Sequence, residues 1–284
     1  VKILNKKINK SFHLLLISIT PLLCAVAHAD DQPATNFNQA TISIIIDDMG
    51  YQLKSGNRAI NLPGEITFSF LPHAPHVNLL SELAHNKSKE IMLHLPMEAE
   101  DGSHLGPGGL THGMSEKTFK KIMESNLAAV PYASGFNNHM GSLLTKSQLW
   151  MTRLMHKVAI DKHLFFVDSK TTIHSVALSS AREEGINSIS RDIFIDHEMS
   201  REFIEMQLEK IIQKAKQKGT ALAIAHPKKL TLSILEKWLP KLEARGIKLV
   251  SVSKLIGMQQ QRRLALWKAP VLNNAGTKLQ RVRN

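Results

Sequence analysis

The sequence predicts a parallel α/β fold curled into a closed or nearly closed barrel. Three observations carry that expectation. Strand-like and helix-like segments alternate through most of the 284 residues, the first strand is an uninterrupted β-branched run, and polar residues recur where strands end. Repeated βα units place successive strands parallel. Seven or eight of them in roughly 220 residues favour a barrel over an open doubly wound sheet.

The elements follow in order. ISIIID (42–47) has no polar alternation, so both of its faces must be covered, yet it runs straight into the adjacent carboxylates Asp47 and Asp48. EITFSFL (65–71) and EIMLHL (90–95) are the next two strands. SEKTFKKIMESNLAAV is amphipathic and opens on Ser115, a residue type whose hydroxyl caps a helix N-terminus. ASGFNN (133–138), LFFVD (164–168) and NSISRD (187–192) supply three further strands. MSREFIEMQLEKIIQKAKQKG is helical and stops at Gly219, suited to a left-handed C-cap. ALAIAH (221–226) and IKLVSV (247–252) complete the set. The chain has no internal repeat, phosphate-binding glycine loop or low-complexity segment.

Four lysines followed by the apolar run LLLISITPLLCAVA and Ala27-His28-Ala29 make residues 1–29 an expected signal peptide, cut after Ala29. The run is short for a membrane span and Pro21 interrupts it. Export, with the periplasm as compartment, follows. The single cysteine, Cys24, lies in that segment, so the mature chain needs no disulfide. Residues 30–40 read as a polar linker, 41–256 as the barrel, and 257–284 as a basic, disordered tail. The net charge of +12 resembles a nucleic-acid signature until it is divided. Four positive charges sit in the leader and six in the tail, which leaves +2 for the part between. Nucleic acid is therefore not an expected partner; the tail suits weak contact with an anionic membrane or wall polymer.

In a parallel barrel, groups at the C-terminal ends of strands share one face. Here those ends read Asp47-Asp48, HLPME (94–98), NNHMGS (137–142), DSKT (168–171), RDIFIDHE (191–198) and AHP (225–227). Taken singly, His94, His139 or His226 could be a hydrogen-bonded core histidine, and Asp168 or Asp196 a helix cap. Taken together, imidazoles and a carboxylate form an N/O ligand set suited to zinc or a similar divalent ion. Such an ion would neutralise one member of the Asp-Asp pair and leave the other as a base. Asp48 is assigned to the metal and Asp47 to the base. Neighbouring strand residues face opposite ways, so at least one of them is expected in the loop.

These motifs carry a resemblance. IIIDDMG, FSFLPHAP, EIMLHLPME, NNHMGS and FFVDSKT resemble the divergent polysaccharide deacetylase family, within the NodB-homology fold of carbohydrate esterase family 4. The resemblance covers about residues 41–256 and implies a distorted (β/α)7 barrel, a divalent metal held by one Asp and two His, and hydrolysis of N-acetyl groups on cell-wall polysaccharide or peptidoglycan. Asp48 and His94 are then two of the ligands, and because the family's second motif histidine is missing the other must come from elsewhere, with His139 the best candidate; Asp47 is the base, and His226 fits the late-strand acid that protonates the departing amine. Asp168 and Asp196 would orient these groups.

This chain departs from the family pattern at three places. Met49 separates the Asp-Asp pair from Gly50; a His-x-x-x-His motif is replaced by His94 with Glu98 at that spacing; and the fourth strand lacks an arginine motif. Glu98 is thus a candidate substitute ligand or second base. Two rivals stand beside the deacetylase reading: a non-catalytic binder of peptidoglycan or a wall-remodelling protein on the same barrel, and a different metal-dependent hydrolase.

Overall fold

The computed structural model describes residues 39–161, 164–268, 271–272 and 278–279. The expected signal peptide and nearly all of the linker lie outside the described residues, as does most of the chain beyond residue 268.

Nine strands form one parallel sheet. They are β1 (Ala40–Met49), β2 (Thr67–Phe70), β3 (Glu90–Met97), β4 (Gly135–Met140), β5 (Phe165–Asp168), β6 (Ser188–Ser190), β7 (Ile193–Phe194), β8 (Thr220–Ala225) and β9 (Ile247–Leu249). Their order is β6-β5-β4-β3-β2-β1-β8-β7, and β9 pairs with the first residues of β1, below the point where β2 begins. The helices are α1 (Leu53–Ile60), α2 (Val77–Asn86), α3 (Glu116–Ala129), α4 (Gln148–Asp161), α5 (Ala177–Glu183), α6 (Arg201–Lys218), α7 (Lys229–Trp238) and α8 (Val252–Lys268). This is the curled parallel barrel that the alternation predicts.

The expected strand 187–192 yields only β6, and β7 follows directly beyond it on the opposite edge, for a reason that lies in their partners. Arg191 N–H still donates to Asp168 O on β5 (3.0 Å), whereas Asp192 N–H donates to Leu222 O on β8 (2.8 Å). One continuous stretch therefore forms both edges of the sheet and nearly closes it.

Strand alternation separates two cores. Ile44, Ile46, Phe68, Phe70 and Leu93 pack against the helices, while Ile45, Met92, Phe165, Val167, Leu222 and Ile224 form a second cluster that fills the barrel. Val252, Leu255 and Ile256 of α8 join that second cluster and plug its lower end. Gly135 makes room inside: a Cβ there would stand 2.4 Å from the Phe165 ring. Following the inward alternation upward, Ser43 and Ile45 lead to Asp47, Met92 leads to His94, and Gly135 leads to Asn137. The inner wall is apolar at mid-height and polar at the upper rim, where the site lies.

Ser115 caps α3 by accepting from Thr118 N (3.2 Å), and Gly219 ends α6 at φ 85°. The boundary expected at residue 256 falls inside α8, so residues 257–268 are not a disordered tail. Gln259 Nε2 donates to Thr220 Oγ1 (2.9 Å) and Arg262 Nη1 to Lys218 O (3.0 Å), which ties the helix to the ends of β8 and α6. The segment QQQRRLALWK contains no Gly or Pro to stop a helix before Pro270.

Candidate metal centre and active-site rim

The β1 end places two consecutive carboxylates in one site by breaking its own regularity. Its register with β2 jumps between Ile46 and Met49, a β-bulge, and Asp48 takes φ 56°. In a regular strand Asp47 would face in and Asp48 out; the bulge re-aims the second toward the rim. Neither residue lies in the loop, contrary to the sequence expectation, because the irregularity sits within the strand.

Asp48, His94 and His139 converge. His94 Nε2 is 3.3 Å and His139 Nδ1 3.1 Å from Asp48 Oδ1, and the two nitrogens are 3.1 Å apart. Asp48 Oδ1 is buried and has no hydrogen bond of acceptable direction among the described residues. Atoms bound to a tetrahedral ion at about 2.0–2.1 Å stand about 3.3–3.4 Å from one another, so this triangle fits a divalent cation with little adjustment. Three protein ligands also leave a coordination position open, as at catalytic rather than structural sites. Burial alone would raise the Asp48 carboxyl, but the His139 and His94 imidazoles outweigh it and hold the group well below the usual carboxylate range.

Behind the triangle, Asn137 organises the rest. Its Oδ1 accepts from Ser69 Oγ (2.6 Å) and His94 Nδ1 (2.8 Å); its Nδ2 donates to both Asp47 oxygens (3.0 Å each) and to Ser169 Oγ (3.1 Å). Because Nδ1–H of His94 is committed to that amide, the Nε2 lone pair is free to face the triangle. Asp47 is almost fully buried, and burial pushes its carboxyl up while His94, His226 and the Asn137 amide oppose the shift. The two neighbouring aspartates thus move in opposite directions.

His226 completes the rim from the end of β8. Its Nδ1 pairs with Asp196 Oδ1 (2.9 Å) and its Nε2 faces Asp48 Oδ2 (3.7 Å). The other Asp196 oxygen accepts from His226 N (2.9 Å) and Thr231 Oγ1 (2.8 Å), so Asp196 orients this histidine. Burial opposes the charge on His226, yet Asp196 and the rim aspartates raise its pKa overall.

Two other expected participants stand elsewhere. Asp168 accepts from Lys170 N (2.8 Å) and Ser175 Oγ (2.9 Å), which shapes the β5–α5 loop without capping α5, whose N-cap is Val176. Glu98 is not brought to the triangle; its Oε2 binds His112 at Nδ1 (2.6 Å) and N (2.8 Å). Because β3 stays extended to Met97, residues four apart on it are separated by about 13 Å, whereas the same spacing on a helix would bring them together.

Sequence reasoning missed Asn137, Ser69, Thr231 and Arg191. Asn137 had a readable signal: it shares inward parity with His139, and a polar side chain in a buried strand needs partners. Arg191 donates from Nε to Ser169 O (2.6 Å) and from Nη2 to Lys170 O (2.9 Å), with its guanidinium over the Phe194 ring. Its charge acts on Asp47 and Asp168, so an arginine absent from β4 reaches the rim from the β6–β7 link.

The sequence profile described as divergent polysaccharide deacetylase matches residues 44–256. An uncharacterized protein of Haemophilus influenzae (strain ATCC 51907 / DSM 11121 / KW20 / Rd) is 35% identical over 220 residues, covering 78% of this chain and 78% of its own. The uncharacterized protein YibQ of Escherichia coli (strain K12) is 33% identical over 220 residues, covering 77% of this chain and 68% of its own. Among solved structures, the uncharacterized protein ATU2773 from Agrobacterium tumefaciens C58 shares the fold with a TM-score of 0.74 at 22% identity, across 78% of this chain and 92% of that one. The profile runs from within β1 to within α8 and takes in every rim residue described above, and on that match the chain belongs to the divergent polysaccharide deacetylase family.

Proposed function

We propose that the chain is an exported, metal-dependent hydrolase that removes N-acetyl groups from cell-wall polysaccharide, with zinc as its ion and the periplasm as its compartment. The observation that carries the reading is the convergence of Asp48 Oδ1, His94 Nε2 and His139 Nδ1 on one point, with Asp47 directly behind. Family membership supports the substrate class.

Asp48, His94 and His139 would hold the ion, which when bound supplies Lewis-acid polarisation of the acetamide oxygen and a more acidic water. Asp47 removes a proton from the attacking water; its raised proton affinity suits a base, and Asn137 fixes its direction. His226 gives a proton to the departing amine from Nε2, the nitrogen that faces the rim while Asp196 holds Nδ1. Water's oxygen forms the new bond to the acetyl carbon, the C–N bond breaks, and acetate and a free amine leave.

The test pairs metal analysis of the purified protein with acetate release from peptidoglycan and chito-oligosaccharide. The reading expects metal in the wild type, reduced metal in His94→Ala and His139→Ala, and metal without acetate release in Asp47→Asn. Acetate release that survives in Asp47→Asn, or metal content unchanged in both histidine variants, would overturn it.

A further inference from the structure

Beside the rim a cleft of about 600 Å³ opens between α1 and the turn from β8 into α7. It reaches Asp48, His139 and His226 at one end, so whatever occupies it lies against the site. Its walls carry Lys54, Arg58, Lys228 and Lys229, and Asp48 is the one carboxylate among its lining residues. Arg58 is neutralised outside the cleft by a two-pronged contact with Glu236 (2.7 and 2.8 Å). The three lysines are not: among the described residues Lys228 Nζ meets only the Asp196 carbonyl (3.3 Å), and no described carboxylate pairs with Lys54 or Lys229.

This concentration is local. The barrel region taken as a whole is close to neutral, and its other lysines include several paired with acids, such as Lys120 with Glu116 (2.8 Å) and Lys254 with Glu65 (2.8 Å). A neutral N-acetylated polymer offers these ammonium groups hydroxyl and carbonyl oxygens but no opposite charge. An anionic one supplies that charge, and the lysines would also steer it toward the site.

Resting on the deacetylase reading, we propose that this cleft receives an acidic glycan, one that carries a carboxylate on or next to the acetamido sugar, and that Lys54, Lys228 and Lys229 select it over a neutral one. The carboxylate can belong to a lactyl ether on the same sugar or to a neighbouring uronic acid; the chemistry that the lysines recognise is the same.

The test uses the zinc-loaded full chain and isothermal titration, alongside acetate release. The probes are a neutral N-acetylglucosamine oligosaccharide, one of equal length alternating with N-acetylmuramic acid, that oligosaccharide with its carboxylates converted to amides, and one alternating with glucuronic acid. The proposal expects a carboxylated probe to bind roughly tenfold more tightly than the neutral and amidated ones, the sum of several exposed charge contacts. That preference should shrink to less than about threefold in 0.5 M salt and in the Lys54→Gln/Lys229→Gln double variant, whose fold and metal content are checked by circular dichroism and metal analysis. Preference for the muramic probe, the glucuronic probe or both distinguishes the two sources. Equal binding of neutral and acidic probes, a preference that persists in the double variant, or no binding of any probe overturns the proposal. Acidic preference in binding with no acetate release from any probe sinks the deacetylase reading and leaves the charge selection standing; acetate release at equal efficiency from neutral and acidic probes does the reverse.

Discussion

Replacing Asn137 separates the roles of its two ends. In Asn137→Ala both ends are lost: His94 Nδ1–H and Ser69 Oγ lose their acceptor, and Asp47 and Ser169 lose a donor. Each buried polar group left without a partner costs about 1–3 kcal/mol. With Asp47 and His94 both affected and a water filling part of the vacated space, the metal-free protein should lose about 2–4 kcal/mol of stability. Freeing a ligand imidazole from its outer partner typically weakens metal binding about 10 to 100-fold, or about 1.4–2.7 kcal/mol. Asn137→Asp retains an acceptor for His94 but replaces the donor to Asp47 with a second carboxylate, so metal affinity should hold within about threefold while hydrolysis falls at least about 100-fold. Competition titration against a chromophoric chelator measures the first quantity and acetate release the second. If Asn137→Ala binds zinc as tightly as the wild type, the claim that this amide sets the direction of His94 is wrong. If Asn137→Asp retains full hydrolysis, the claim that it holds the base is wrong.

Asp196→Asn should leave metal content unchanged and lower turnover, because His226 would keep its place but lose the carboxylate that fixes its Nδ1 proton. The Asp196 carboxyl is held low, its burial outweighed by His226 and Thr231, so it stabilises the fold fully above the ordinary carboxylate value of 3.8, and that contribution disappears as pH falls through the lower folded value. Urea melts should therefore show the wild type more stable than Asp196→Asn at pH 7 and the gap closing in strong acid; a gap independent of pH would refute the pairing. Truncation after Ile256 should lower stability by roughly 1–3 kcal/mol, since it cuts α8 and removes the Gln259 and Arg262 contacts, whereas truncation after Lys268 should change the melting temperature little. Equal melting temperatures for the two truncations would show that the second half of α8 contributes nothing to the barrel.

Much of the fold was legible because each strand carries its own signal. The β-branched run of β1, the aromatic runs of β2 and β5 and the glycine stop at Gly219 are local features that read the same in any context. The change of partner strand after Arg191 was not legible, because it depends on which distant carbonyl each N–H meets: Asp168 O for Arg191 and Leu222 O for Asp192. Residues 257–268 misled through composition, as a basic Gln-rich stretch resembles a solvated end until Thr220 and Lys218 supply its partners. At the site, His94, His139 and Asp48 were readable as strand-end ligand types, and the fold brings them together. Glu98 misled because a spacing of four means proximity on a helix and distance on a strand. Asn137 stood inside a quoted motif without a role; an amide announces neither charge nor metal affinity, and its importance lies in five contacts that only the closed sheet assembles.

The Asp47-Asp48 pair shows how the backbone assigns different chemistry to identical side chains. Two carboxylates on one regular strand end would face opposite sides of the sheet and could not share a site. The bulge removes that restriction at the cost of a left-handed residue, a conformation that Asp and Asn tolerate better than other side chains with a Cβ. Asp is therefore suited to position 48 twice over, by its backbone tolerance and by its short carboxylate. Once there, Asp48 meets two imidazoles and is held ionised, while Asp47, on the inward alternation, meets a neutral amide in a buried layer and has its proton affinity raised. Ligand and base differ because one residue follows the pleat of the strand and the next departs from it. An Asp48→Glu exchange retains the charge but not the fit: the longer side chain must enter the same 3.1–3.3 Å triangle from a left-handed backbone, and metal affinity should fall even though the set of ligand types is unchanged.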